Sequence, residues 1–170
     1  SEVEDVVRKV EKLVRDLIKH VEENVRRVEE VVRKLIEEIK RIAEEITRIA
    51  EELAKEPGSE DLLRKLEKVL KEIDDKLKEL EDRLRDMVRR SRESSEENER
   101  RLKRVEDEVR RNGISEERDH MVLHEYVNAA GITRESREVT RRVLEEAKEM
   151  LERVKKIVKE VIEKVRRVVK

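Results

Sequence analysis

Few residues in this sequence have types and spacings that invite chemistry. His120 and His124 stand four apart, which on a helix places two imidazoles on one face, a spacing that can bind a metal. A zinc site needs at least a third protein ligand, and none stands at a matching spacing. Ser91, Ser94, Ser136, Thr140, Asn24, Asn98 and His20 offer hydroxyl, amide and imidazole groups of the kind acyl transfer uses. No Asp or Glu clearly shares their helical face to orient a base. The chain has no Cys, so it carries no disulfide, thiolate nucleophile or thiolate metal site. The expectation is a chain that is not an enzyme and holds neither metal nor cofactor.

What these polar groups do depends on the elements that carry them. Charged residues make up 52% of the sequence, Phe and Trp are absent, and Tyr126 is the single aromatic residue. Such a composition signals disorder unless the apolar residues are periodic. Here they are, and Glu/Lys/Arg/Leu/Val-rich periodicity reads as long helix or coiled coil. Lys plus Arg is 44, Asp plus Glu is 45, and the net charge is −1 with the signs interspersed. That argues against nucleic acid and anionic membrane, which call for a one-signed patch. No apolar run approaches a membrane span and no signal-peptide pattern opens the sequence. A soluble protein is expected, cytoplasmic when expressed.

Apolar residues recur in steps of three and four at Val3, Val7, Val10, Val14, Leu17 and Val21, then from Val28 through Leu35, Ile42 and Ile49 to Leu53. Val6, Ile18, Val25, Ile36, Ala43 and Ala50 widen that stripe, which suits a helix touching two neighbours. Pro57-Gly58 stops the run, and Ser59 caps the next, with Glu60 and Asp61 complementing the helix end. The second run reads Leu66, Leu70, Ile73, Leu77, Leu80, Leu84 and Met87, and returns at Leu102, Val105 and Val109. Asn112-Gly113 ends it, and Ser115 caps the third run with Glu116 and Glu117 behind. That run closes on Val143, Ala147, Met150, Val154, Val161, Val165 and Val168. Short turns make sequential helices antiparallel neighbours. The expected fold is all-α: a single elongated antiparallel three-helix bundle over 1–170 with coiled-coil-like packing. Its helices span about 2–55, 60–111 and 116–169, each roughly 80 Å long. Equal helices with such sharp punctuation resemble idealised, de novo designed three-helix bundles. They resemble natural spectrin-like repeats only weakly, since those are shorter and carry core aromatics. A designed chain has no natural compartment.

The inward series of each run is interrupted by polar residues. Past Met87 the second run reads Ser91, Ser94 and Asn98 before Leu102; Asn24 falls between Val21 and Val28; the third run reads Val122, Tyr126, Ala129, Thr133, Ser136 and Thr140. Counted in residues from the end holding Ser1, Asn24 lies at about 24, Ser91 and Ser136 at about 23, Ser94, Thr133 and His20 at about 20, and Thr140 at about 27. Three independent runs converge on one slab. It reads as a buried hydrogen-bond network of Asn24, Ser91, Ser94, Asn98, Ser136 and Thr140, in which only the register that pairs the groups is tolerated. An open polar seam and a catalytic pocket are the alternatives.

One stretch departs from the rest. It runs Arg118, Asp119, His120, Met121, Val122, Leu123, His124, Glu125, Tyr126, Val127, Asn128, Ala129, Ala130, Gly131, Ile132, Thr133. It holds the only Tyr, two of the three His, and a glycine in a helix interior that costs about 1 kcal/mol relative to Ala. Another constraint fixed these residues. All sixteen resemble, residue for residue, the strand-11 tag of split green fluorescent protein. The resemblance covers under a tenth of the chain and is specific. It implies a segment that completes a barrel around a chromophore held in ten other strands. It makes Glu125 the strand glutamate near that chromophore, and Val122, His124, Tyr126 and their alternating neighbours barrel residues. The chromophore-forming tripeptide and the other strands are not in these 170 residues.

The segment is ambiguous on physical grounds too. With period two, Met121, Leu123, Glu125 and Val127 share one face and Val122, His124 and Tyr126 the other; with helical period, Val122, Tyr126, Ala129 and Thr133 turn inward. Its Val, Tyr and Thr favour strand where packing permits. The expected function is a designed cage or switch scaffold that holds the segment as helix and releases it to the ten-strand fragment on opening, for instance by a competing helix. The alternative is a structural bundle or assembly subunit carrying the tag as a reporter. A monomer is favoured, with a homo-oligomer left open by the wide stripe of the first helix.

Overall fold

The computed structural model describes residues 2–56, 58–113 and 120–169, and the side chains of these up to 167. Three helices make up nearly all of it: α1 (Glu2–Lys55), α2 (Glu60–Arg111) and α3 (His120–Val169). No strand occurs among the described residues, and the fold is an antiparallel three-helix bundle. Ser1, Pro57, the expected cap at Ser115 with Glu116 and Glu117, Arg118 and Asp119 of the expected tag segment, and the side chain of Val168 lie outside the described residues.

Local chemistry sets the helix ends. Ser59 Oγ accepts from the Leu62 backbone N–H at 3.3 Å, satisfying one of the donors left over at the start of α2. At the other end of α2, Gly113 adopts φ +60 and its N–H donates to the Arg110 carbonyl at 3.2 Å. A left-handed residue there folds the chain back on the last carbonyls, which glycine does without a Cβ clash. Asn112 Nδ2 donates to the Glu108 carbonyl at 2.8 Å and closes the same turn. Acidic residues open α1 and α2, and basic residues close all three helices, matching the helix dipole; the first described turn of α3 has no acid.

The helices pack into two compact units. The first comprises Ser1–Glu29 and Met87–Val143, so the first half of α1 meets the second half of α2 and the first half of α3, as an up-down-up bundle requires. Its core is a cluster of Val10, Val14, Leu17, Val21, Val105, Val109, Val122 and Ala129. At its surface Lys9 pairs with Glu108 at 2.8 Å, and Arg137 pairs with Glu99.

The second unit comprises Glu30–Asp86 and Leu144–Lys170. Its buried side chains are mainly Leu and Ile: Leu35, Ile39, Ile42, Ile46 and Ile49 from α1, Leu63 to Leu84 at steps of three and four from α2, and Leu144, Leu151 and Val158 among those from α3. Lys155 pairs with Glu81 at 2.6 Å and Arg83 with Glu38 at 3.4 Å.

Some inward positions differ from the sequence expectation. In the second half of α3 the buried residues are Leu144, Ala147, Leu151, Val158 and Val165, while Met150 is exposed. Val143-Leu144 and Met150-Leu151 are adjacent apolar pairs, so periodicity leaves the phase open by one residue, and the leucines take the core. Val3, Ala43 and Ala50 are exposed rather than inward. Alanine has little apolar area to bury and so marks a helix face weakly. No helix of the described residues is long and apolar enough to cross a membrane.

Candidate functional site

Residues 120–133 form the first turns of α3, within the first unit. Val122 is 3% exposed and Ala129 fully buried, and Ala130 and Thr133 are buried beside them. Leu123, Tyr126 and Ile132 are partly buried and pack against the cluster that Val122 and Ala129 form with residues of α1 and α2. The outer side is unusual. Met121 is 78% and Val127 63% exposed, the two most exposed large apolar residues of the described chain. His120, His124, Asn128 and Gly131 are also exposed, and Glu125 is half-buried. The rest of α3 also exposes Val139, Met150 and Ile157, each less than Met121 and Val127. With period two, the same Met121 and Val127 fall on one face with Leu123 and Glu125.

Helix in this stretch is held by its surroundings rather than by propensity. Tyr126 lies beside Glu106 of α2: burial pushes the phenol pKa up, and the neighbouring Glu106 carboxylate pushes it further. A groove of about 280 Å³ between α1 and α3 is lined by Glu11, Val14, Arg15, Ile18, Glu125 and Asn128. Between α1 and α2 of the same unit Glu108 accepts from Lys9, and that hydrogen bond holds its carboxyl below the usual range. A Cβ built at Gly131 meets nothing within 4 Å, so no close approach requires glycine there.

The polar slab is buried in this unit, though unevenly. Asn24, Ser91, Asn98, Thr133 and Thr140 are buried, while Ser94, Ser136 and His20 are half-buried. The side-chain hydrogen bonds of His20, Asn98, Thr133, Ser136 and Thr140 run to partners on their own helices. Thr133 Oγ1 donates to the Ala129 carbonyl at 2.7 Å, Ser136 Oγ to the Thr133 carbonyl at 2.9 Å, and Thr140 Oγ1 to the Ser136 carbonyl at 2.9 Å. Asn98 Oδ1 accepts from Arg101 at 2.9 Å, and His20 Nδ1 donates to the Asp16 carbonyl at 2.8 Å. Short hydroxyl side chains on a helix reach the carbonyl three or four residues back without any partner helix. No base-orienting carboxylate joins the slab in these bonds. Among the described residues no group of three or more His, Cys, Asp or Glu is placed to hold a metal ion, and His120 and His124 both face outward.

Two features of the site escaped the sequence reading. Ala130 is as much part of the inward face as Ala129, an adjacent small pair that periodicity cannot divide. Glu106 beside Tyr126 depends on the α2–α3 register, which no single-helix pattern contains.

No family model matches this sequence, and no curated protein matches it. Among solved structures, a computationally designed three-helix bundle is similar to it, with a TM-score of 0.50 and 16% identity over 99% of this chain and 90% of that one. At that identity the likeness speaks for the fold, a three-helix bundle.

Proposed function

We propose that the chain is a designed, non-enzymatic cage that holds the strand-11 segment of split green fluorescent protein as helix and yields it to the ten-strand fragment when the bundle opens. The observation that carries this reading is the double use of residues 120–133. Val122, Ala129, Ala130 and Thr133 are buried in the helical form, while Met121 and Val127, apolar residues that a strand would place on one face, are exposed to solvent. The helix therefore competes with strand for the same residues. A competing helix, tension or spontaneous fraying would open it, and the buried slab would act as a register device for the closed form. The test mixes the chain with the ten-strand fragment and follows fluorescence against a free peptide of residues 118–133. Recovery much slower than the peptide's supports the cage; equal rates reject it.

The second reading is a structural bundle or assembly subunit with the tag as reporter. In its favour, His120, Met121, His124, Val127 and Asn128 of the segment are exposed on the surface of α3, where a partner could reach them. Equal rates in the same experiment support it.

A further inference from the structure

We infer that the unit bearing the tag opens as one cooperative block while the other unit stays folded. Its use rests on the cage reading above, but its test does not. The two units are built from different cores. The second buries Leu and Ile on all three helices except for Val32, Ala147, Val158 and Val165, whereas the first buries a single Leu, Leu17, and no Ile, its other apolar core residues being Val, Ala and Met87. Val and Ala bury less apolar area than Leu and Ile, so each holds the first unit together less firmly. All five buried polar side chains (Asn24, Ser91, Asn98, Thr133 and Thr140) belong to the first unit. Thr133 and Thr140 keep their hydroxyl bonds to their own helix when helices part, so those bonds do not oppose opening. Asn24 and Ser91 regain water on opening, which buried apolar residues resist. Gly131 weakens the helix in the same unit. Proteins open in contiguous cooperative blocks whose free energies follow such local differences. The buried contacts of the segment are with α1 and α2 residues of its own unit, notably Val14, Val21, Val105 and Val109, so those parts of α1 and α2 lose protection together with it.

Hydrogen exchange followed by mass spectrometry on the intact chain, without the ten-strand fragment, reads this directly. The expected result is two tiers. Amides of 35–49, 66–84 and 144–158 are protected at least about a hundredfold more than those of 10–21, 102–109 and 122–133, and the latter three share one level within about threefold. One level across all six segments overturns the inference. So does protection lost from 122–133 alone, with 10–21 and 102–109 as protected as the second unit. A paired test uses Leu17→Ala and Leu77→Ala, both at fully buried positions. Leu17→Ala should speed exchange in the first unit at least about tenfold and leave the second unit's unchanged, with the reverse for Leu77→Ala; both variants speeding all segments alike overturns the inference. Two tiers in a chain that complements as fast as free peptide would remove the cage reading and support this one. A single tier with slow complementation would do the opposite.

Discussion

Replacing Val105 by Asp tests how access to the segment is controlled. Val105 is fully buried in the core of the tag-bearing unit, lies on α2, and is outside the tag, so the ten-strand partner meets an unchanged sequence. The change removes the burial of a valine, which contributes about 1.5–3 kcal/mol. It also places an unpartnered polar group among apolar neighbours, at a cost of about 1–3 kcal/mol. Together these amount to about 2.5–6 kcal/mol, and each 1.4 kcal/mol is about tenfold in population, so the open fraction rises by about two to four orders of magnitude. A partner that binds only the open form gains apparent affinity in the same proportion. The assay is the rate of fluorescence recovery with excess ten-strand fragment, alongside thermal melting by circular dichroism. Arg104→Asp, on the exposed neighbour, is the control for charge alone and should shift stability by no more than about 0.5 kcal/mol. The expected outcome is a lower melting temperature and recovery approaching that of free peptide for Val105→Asp only. A fall in melting temperature with recovery at the parent rate would show that opening of this unit does not gate the segment.

Gly131→Ala has room for its Cβ and should stabilise the helix by about 1 kcal/mol, raising the melting temperature and slowing recovery about fivefold relative to a free peptide carrying the same change. Val127→Lys, at an exposed position, should leave melting nearly unchanged, within about 0.5 kcal/mol, yet reduce complementation even as a free peptide, because in the strand Val127 shares the face of Glu125. The Glu108 carboxyl is held below its usual pKa by Lys9, so this pair contributes stability above the ordinary carboxylate range and loses it as pH falls through that range to the lowered folded value. Urea midpoints between neutral and acidic pH should therefore drop, and Lys9→Ala should make the drop smaller.

The bundle was legible in the sequence because its signals are local. The steps of three and four through Val10, Leu17, Leu35 and Ile49 mark a face that the structure buries, and glycine at 113 takes the left-handed conformation that a helix stop after Asn112 calls for. What was not legible depends on choices between neighbours. Met150 and Leu151 fit the same period within one residue, and only packing against α1 and α2 decides that Leu151 goes in. The polar slab could be placed by height, since Asn24, Ser91 and Thr140 are buried. Thr133, Ser136 and Thr140 have carbonyls of their own helix in reach, and that alternative is invisible to an argument that matches heights across helices. The tag stood out for the opposite reason. Gly131, Tyr126 and the exposed Met121 and Val127 depart from the residues the rest of the chain uses, and the proposed second structure for the same sequence would account for them.

The most direct test of the cage is the recovery of fluorescence when the intact chain meets excess ten-strand fragment, compared with a free peptide of residues 118–133 at equal concentration. Burial of Val122 and Ala129, with Tyr126 packed partly buried beside them, makes extraction cost several kcal/mol, at about 1.5–3 kcal/mol for each fully buried large side chain. The account predicts recovery at least about a hundredfold slower than the peptide's, since a suppressed open fraction lowers the apparent affinity in proportion. Recovery of the intact chain at the peptide's rate would contradict it.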